Sequence, residues 1–395
     1  MNKSTEAIHP SFPRRDPYGA LSMPVYHSLA YEFPDHQAMA DAFTMRSDDP
    51  DYSRITNPTV IHFEHLVRSL SGAADAVALN SGMAAITATV MAVASAGKKV
   101  VTSRHIFGNT YLLLTRTLAR FGVETELIDL TDIDAVRRAV DDSTCCVYLE
   151  TITNPQMEVA DIRPIADIAH AHGIPVIADT TMIPFIYTDS RALGIDLEIL
   201  SSTKYLSGGA TSLGGLVLDY GNFPEISDRL RHDLLLNTGG YMTPHVAYMQ
   251  TLGVETLHTR YEAHERNAMD VAGALAGRVD VEVCYPGLAD NPYHEAAARQ
   301  FGGRFSAMMT LSLPSEEGCF RFIDALRLIR RATNLFDNKT LAIHPASTIY
   351  GTLDDATRSS MDVSSRLIRL SIGLEDPADI IADINQALEK AECHN

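Results

Sequence analysis

Cysteine is scarce in this chain. The five residues Cys145, Cys146, Cys284, Cys319 and Cys393 show no metal-ligand spacing, so neither a metal site nor a disulfide framework is expected. Cys145 and Cys146 sit in the apolar run 144–149 and read as buried structural thiols. Positive charge is also short: 32 Lys and Arg face 50 Asp and Glu, a formal net charge of -18. With no Lys/Arg-rich run to offset it, that balance repels a polyanion such as nucleic acid, and it reads as the acidic surface of a soluble protein. Long apolar runs are missing too. The longest, such as 84–96, fall short of the roughly 20 residues a membrane span needs. Residues 1–18, with Pro10, Pro13, Arg14 and Arg15, lack the apolar core of a secretory signal. These absences point to a small-molecule partner, no nucleic acid, no membrane and a cytoplasmic location. No internal repeat or low-complexity tract is present.

What the chain does have is length and apolar content. Its 395 residues, 46% hydrophobic, can bury large cores and suggest two or three domains. The first 60 residues carry several prolines and little helical periodicity, and read as an extended arm. A helical pattern over 60–70 opens an alternation of helix-length segments with short apolar runs at 76–80, 99–102, 124–128, 145–150, 175–179 and 197–201. Such runs, mostly rich in β-branched residues and with little strict alternation, predict buried parallel strands with crossover helices. Glu198 makes the last of them the least clean. A long helix is expected over 244–276, and strands at 305–313, 341–343 and 367–371 give a smaller α+β domain. The boundaries are therefore arm 1–60, large domain 61–250 and C-terminal domain 251–395. In a doubly wound sheet, ligands collect at the carboxyl ends of the strands.

Three strand ends carry candidate chemistry. Lys204, in Ser201-Ser202-Thr203-Lys204-Tyr205, follows the run 197–200 and precedes Ser207-Gly208-Gly209. In a polar pocket, its desolvated amine could form an imine with an aldehyde cofactor, although most lysines are solvated surface charges. Asp179 closes the run 175–179. A buried carboxylate there needs a partner, which a pyridinium nitrogen would supply; the other reading is a helix N-cap, since Thr180 and Thr181 follow. Asn80-Ser81-Gly82-Met83-Ala84-Ala85 joins a strand to a helix of small residues. A hydroxyl, a close-approach glycine and a helix N-terminus suit a phosphate, as they also suit a plain turn.

Taken with Tyr52-Ser53-Arg54-Ile55-Thr56-Asn57-Pro58-Thr59, Glu150-Thr151-Ile152-Thr153-Asn154-Pro155, Tyr285-Pro286-Gly287-Leu288, His344-Pro345-Ala346-Ser347 and Arg369-Leu370-Ser371-Ile372-Gly373-Leu374-Glu375-Asp376, these motifs resemble the Cys/Met-metabolism pyridoxal-phosphate enzymes. That family includes cystathionine synthases and lyases, methionine γ-lyase and homoserine-ester sulfhydrylases. The resemblance runs in order over nearly the whole chain. It implies an α/β fold-type I enzyme, with a mostly parallel sheet in the large domain. Lys204 would be the Schiff-base lysine and Asp179 the pyridinium partner. Ser81, Gly82, Met83, Ser201 and Thr203 would surround the phosphate, with Tyr52 and Arg54 reaching it from a neighbouring subunit and Tyr52, like Lys204, also serving as a catalytic residue. Asn154 would contact the ring hydroxyl, Phe107 would stack on the ring, and Arg369 and Asn334 would bind substrate. A shared site makes a dimer the minimal active unit and a homotetramer the expected assembly.

Several residues depart from the family pattern. Phe107 stands where a ring-stacking Tyr is usual, and Asn109 where methionine γ-lyases carry a cysteine. Phe336 replaces a glycine in the otherwise sulfhydrylase-like segment 334–341, which also contains Lys339. Gly208-Gly209-Ala210 replaces a Gly-His pair, and Pro184 lies one residue nearer Asp179 than usual. A Phe can stack but cannot donate a proton. An expelled thiolate benefits from protonation, whereas a carboxylate with an acid pKa of roughly 4 leaves as a stable anion. The expectation is therefore γ-replacement on an O-acylhomoserine with sulfide or a small thiol, giving homocysteine or a related thioether amino acid. The alternative is a C–S lyase acting on methionine, cystathionine or homocysteine to give a 2-oxo acid and ammonia. An aminotransferase is disfavoured by Tyr52-Ser53-Arg54, and a cofactor-free scaffold by the intact Lys204, Asp179 and Arg369.

Overall fold

A computed structural model describes residues 2–10 and 16–392; Pro13, Arg14, Arg15 and Cys393 lie outside the described residues. The strands of the first half are β1 (Asp75–Leu79), β2 (Lys99–Ser103), β3 (Glu124–Ile128), β4 (Thr144–Glu150), β5 (Val176–Asp179), β6 (Leu197–Leu200) and β7 (Gly215–Asp219). After them come β8 (Glu282–Cys284), β9 (Met308–Ser312), β10 (Arg330–Arg331), β11 (Leu341–Ile343) and β12 (Leu367–Ser371). The chain divides into two compact units, Met1–Val93 with Asp196–Thr256 and Ala94–Ile195 with Leu257–Asn395.

In the first unit β7 lies between β1 and β6 and is antiparallel to both. The sequence pattern predicts only parallel strands here; β1 and β6 do run the same way, and the antiparallel strand is β7, which that pattern missed. Burial on both faces writes the same apolar run whichever way a strand points, so direction leaves no trace in a single segment. Glu198 does not break β6: it is fully buried and accepts a hydrogen bond from the Tyr220 hydroxyl at 2.7 Å. The helix Pro58–Ser71 starts where Asn57 caps it, Asn57 Oδ1 accepting from the Thr59 amide at 3.0 Å, with Pro58 in the first turn. It ends at Gly72, whose φ of 72° is left-handed, and it buries Phe63, Leu66, Val67 and Leu70. The arm ahead of it is not wholly extended, because the helices Lys3–Ile8 and His36–Phe43 lie within it.

In the second unit β5, β4, β2 and β3 are adjacent in that order and all parallel, as expected. A five-stranded sheet, β10-β11-β12-β9-β8, is antiparallel except at β10–β11. The helix expected over 244–276 is two helices, Pro244–Glu255 and Leu257–Leu275, interrupted at Thr256. Cys146 is fully buried and Cys145 partly so; Cys145, Cys146, Cys284 and Cys319 are all free thiols. No helix among the described residues is long and apolar enough to cross a membrane.

Candidate active site

The predicted site residues fall into two sets, one in each unit. The first set is built where β1 turns into the helix Gly82–Val93. Ser81 accepts a hydrogen bond from the Ala84 amide at 3.1 Å, so its side chain caps the first turn. The amides of a helix's first turn lack intrahelical partners and attract an anion. Gly82 has no room for a side chain: a β-carbon there would lie 2.7 Å from Ser201 Cβ and 3.0 Å from Ser201 Cα. Met83, partly buried, follows in the same turn. This packing brings the backbone at Ser81 and Gly82 against the stretch that leads from β6 to Lys204.

Two glycines complete the contact, and sequence reasoning did not single them out. A β-carbon on Gly215 would fall 2.1 Å from the Ser81 carbonyl oxygen, and one on Gly214 would fall 2.5 Å from Ser202 Oγ. A doubled glycine opening an apolar run was the available signal. Thr203 is tied to the same place, its hydroxyl donating to Gly214 O at 3.2 Å and accepting from Gly214 N at 3.0 Å. In this arrangement the Thr203 proton serves Gly214, so a contact to phosphate would redirect it. The Ser202 hydroxyl is buried and finds no hydrogen-bond partner among the described residues. Lys204 is partly buried; its amide donates to Ser201 O at 3.1 Å and its carbonyl accepts from Ser207. Tyr52 is 39% exposed, with the Arg54 guanidinium 5.6 Å from its ring centroid and a further Arg54 bond to the Leu236 carbonyl.

The second set is centred on the ends of β4 and β5. Asp179 Oδ1 accepts from the Thr181 amide at 2.9 Å, yet no helix starts there, so the side chain closes a turn rather than capping a helix. Glu150 is Asp179's register partner across β4–β5. Sequence reasoning gave Glu150 no role, although the sign was a carboxylate ending an apolar strand beside a second one. Its Oε1 accepts from the Phe107 amide at 2.7 Å and its Oε2 from the Asn154 amide at 3.3 Å. Burial, and then the negative charge of Asp179, push the Glu150 carboxyl well above its usual range. Two carboxylates so placed resist ionising together, and Asp179 is the less buried of the two.

Phe107 precedes the short helix Gly108–Leu112, and Asn109 is exposed. Tyr111, four residues beyond Phe107, is committed elsewhere: it packs against the cluster of Ala346, Tyr350, Leu353, Met361 and Val363. Arg369, on β12, is 4% exposed. Its Nη1 donates to Asn154 Oδ1 at 3.1 Å and its Nη2 to the Asn334 carbonyl at 3.2 Å, while its buried Nε has no partner among the described residues. Loss of hydration pulls the guanidinium down to about 10, and no carboxylate among the described residues bonds to it. A buried cation held only by neutral oxygens, with an N–H to spare, suits an incoming carboxylate. Phe336 anchors the neighbouring loop: its φ is 55°, the region a glycine adopts freely, and its amide donates to Ser371 Oγ at 2.7 Å. Its ring is buried, which offsets the conformation.

Taken separately, the first set, a helix N-terminus too close-packed for a side chain with a lysine beyond it, suits a phosphorylated aldehyde, and the second, a strand-end carboxylate, suits a protonated ring nitrogen. Comparison with known proteins gives the same direction. The chain is 36% identical to an L-methionine γ-lyase of Pseudomonas putida, over 98% of this chain and 97% of the relative. It is also 36% identical to an O-succinylhomoserine sulfhydrylase of Pseudomonas aeruginosa, over 95% and 92%. A crystal structure described as an O-acetylhomoserine (thiol)-lyase of Campylobacter jejuni, containing N'-pyridoxyl-lysine-5'-monophosphate, superposes with a TM-score of 0.95 at 32% identity, covering 98% of this chain and 100% of that one. The family described as Cys/Met metabolism PLP-dependent enzymes matches residues 4–389, and this chain belongs to it.

Proposed function

We propose that the chain catalyses γ-replacement on an O-acylhomoserine, with sulfide or a small thiol as the entering group. The observation that carries this reading is Phe107, an aromatic face with no proton to give, beside a Tyr111 packed into a separate cluster. Pyridoxal phosphate, when bound, supplies an electron-withdrawing ring joined to the substrate nitrogen, which stores the charge left at the α-carbon. The residues then divide the work. Ser81, Gly82, Met83, Ser201 and Thr203 hold the phosphate. Asp179, ionised beside a proton-bearing Glu150, keeps the ring nitrogen protonated, and Asn154 meets the ring hydroxyl. Arg369 takes the substrate carboxylate with Asn334 beside it. Lys204 would hold the cofactor's aldehyde carbon, and its amine would move protons at the substrate's α- and β-carbons. The leaving carboxylate needs no acid, whereas a thiolate, conjugate to a thiol of pKa about 8.5, would gain from one.

In this reading Tyr52 and Arg54 serve the phosphate of a neighbouring subunit; Tyr52's exposure and its place in the arm support that, and the assembly is a homotetramer of site-sharing dimers in the cytoplasm. The second reading, C–S cleavage to a 2-oxo acid, is supported by the equal 36% identity to the methionine γ-lyase. Phe107→Tyr separates the two. It is expected to raise kcat/KM for thioether substrates by a larger factor than for acylhomoserines; a variant that improves both equally, or neither, would contradict the role given to Phe107.

A further inference from the structure

His105 lies between two carboxylates, and the proposed chemistry does not use it. Its Nδ1 is 2.8 Å from Glu158 Oε2 and its Nε2 is 2.8 Å from Asp362 Oδ2. A neutral imidazole carries one N–H, so it can donate to only one of them; both bonds exist together only in the imidazolium. The two acids are unequal. Glu158's side chain is 6% exposed and Asp362's is 59% exposed. A histidine reduced to one proton keeps it on the buried side.

Each partner belongs to a segment that presents a site residue. His105 stands two residues before Phe107, its amide donating to Ser103 Oγ at 3.0 Å. Glu158 closes the loop that carries Asn154, its amide donating to Thr153 Oγ1 at 2.9 Å. Asp362 follows Met361, whose carbonyl accepts from Gln156 Nε2 at 2.6 Å, and the same segment carries Tyr350, whose hydroxyl donates to the Asn154 carbonyl at 2.8 Å. Asp362 takes a φ of 52°, which residues with a β-carbon adopt reluctantly.

Arg104 supplies the second half of the device. Its Nε is 3.2 Å from His105 Nε2, placed to donate to a lone pair there, and its Nη2 is 3.5 Å from Asp362 Oδ2. The same ring nitrogen thus has a partner for each protonation state: Asp362 when it bears a proton, Arg104 when it does not. We propose that His105 is a positioning residue whose imidazolium latches the Met361–Asp362 segment onto the turn presenting Phe107, and whose neutral form turns to Arg104 and releases Asp362.

The charges around the ring are those of Glu158, Asp362 and Arg104, with Asp129 3.9 Å from Arg104 and the half-buried Tyr293 phenol feeling Glu158, Asp129 and Arg104. Burial pulls His105 down, but the bond and charge of Glu158 and the bond to Asp362 outweigh it, leaving the group above its ordinary value. A raised folded value places the latch closed below about pH 6.5, the unfolded value, and opening as pH rises through the folded one. Its effect on catalysis rests on the reading that Phe107 faces the cofactor ring; the latch itself can be observed without that reading.

The experiment is hydrogen–deuterium exchange of the holoenzyme from about pH 6 to about pH 9, corrected for intrinsic rates and read on peptides spanning 348–363. Wild type is expected to lose protection there by about five-fold or more toward alkaline pH. In Asp362→Asn the transition is expected to vanish, because an amide places no demand for charge on the ring. The visible circular dichroism of the bound cofactor is expected to follow the exchange transition. Flat exchange in wild type, or an unchanged transition in Asp362→Asn, would overturn the latch. An exchange transition with no change in the dichroism would overturn the positioning role while leaving the assignment of the active site intact.

Discussion

Arg369 shows how one side chain can be costly to the empty protein and useful to the loaded one. A guanidinium on β12, buried and opposed only by the Asn154 and Asn334 oxygens, holds its charge at the expense of hydration. In the proposed role, a substrate carboxylate would repay that cost on arrival and so concentrate binding energy on amino acids. Arg369→Gln keeps a hydrogen-bonding side chain and removes the charge. The expected loss in kcat/KM is on the order of 100-fold, or about 3 kcal/mol, from charge-assisted bonds worth roughly 1.5–3 kcal/mol each. The loss should fall mainly on KM, with Tm held or raised because a buried unpaired charge is gone. Steady-state kinetics alongside a melting curve check both, and an unchanged KM would remove Arg369 from substrate binding.

At the scale of elements, Asn57 is a main anchor of the arm, alongside Thr59, whose hydroxyl accepts from the Tyr26 amide at 3.0 Å and donates to the Pro24 carbonyl at 2.8 Å. Asn57 Nδ2 bonds to the Tyr26 carbonyl at 2.9 Å, the Tyr31 hydroxyl at 3.1 Å and Ser53 Oγ at 2.9 Å, while its Oδ1 caps the helix Pro58–Ser71. Asn57→Ala gives up the cap and the anchor together. A loss of about 2–3 kcal/mol is expected in urea unfolding, with the peptides around Tyr26 and Tyr31 exchanging faster. A loss under about 0.5 kcal/mol would show that the arm is held by other contacts. The sequence made most strands readable because burial on both faces leaves β-branched runs, and it placed Lys204, Asp179 and Ser81 at strand ends. It hid β7, where Gly214 and Gly215 leave only a short apolar stretch, and it ran two helices together because one interrupting residue, Thr256, barely disturbs an apolar stripe. The arm helices are six and eight residues long, too short for periodicity, though Asn2 and Asp35 cap them. The Arg369–Asn154 and His105–Asp362 bonds join residues 215 and 257 positions apart, which no local pattern encodes.

For the whole molecule, buried neutral histidines contribute to the response to acid. His264 is held down at about 4 by burial, with its Nδ1 2.8 Å from the Ile372 carbonyl, and His62 is likewise held at about 4 by burial. Their folded values lie below the unfolded value of about 6.5, so their contribution is intact above that pH and is lost as pH falls toward 4. Each adds up to about 1.4 kcal/mol per pH unit to the acid slope of stability. His264→Gln is expected to flatten that slope by close to one proton, whatever it costs at neutral pH; an unaltered slope would mean that His264 is already charged in the folded protein.

The account's central claim concerns substrate. Its most direct test compares kcat/KM of the purified holoenzyme on O-acetyl- and O-succinylhomoserine, each with sulfide, against methionine and cystathionine. With Phe107 unable to protonate a departing thiolate, the ester is expected to win by about ten-fold or more, at least about 1.4 kcal/mol in transition-state energy, with homocysteine as the product. Turnover of methionine equal to or better than that of either acylhomoserine, with a 2-oxo acid and ammonia formed, would contradict the account and make the chain a C–S lyase.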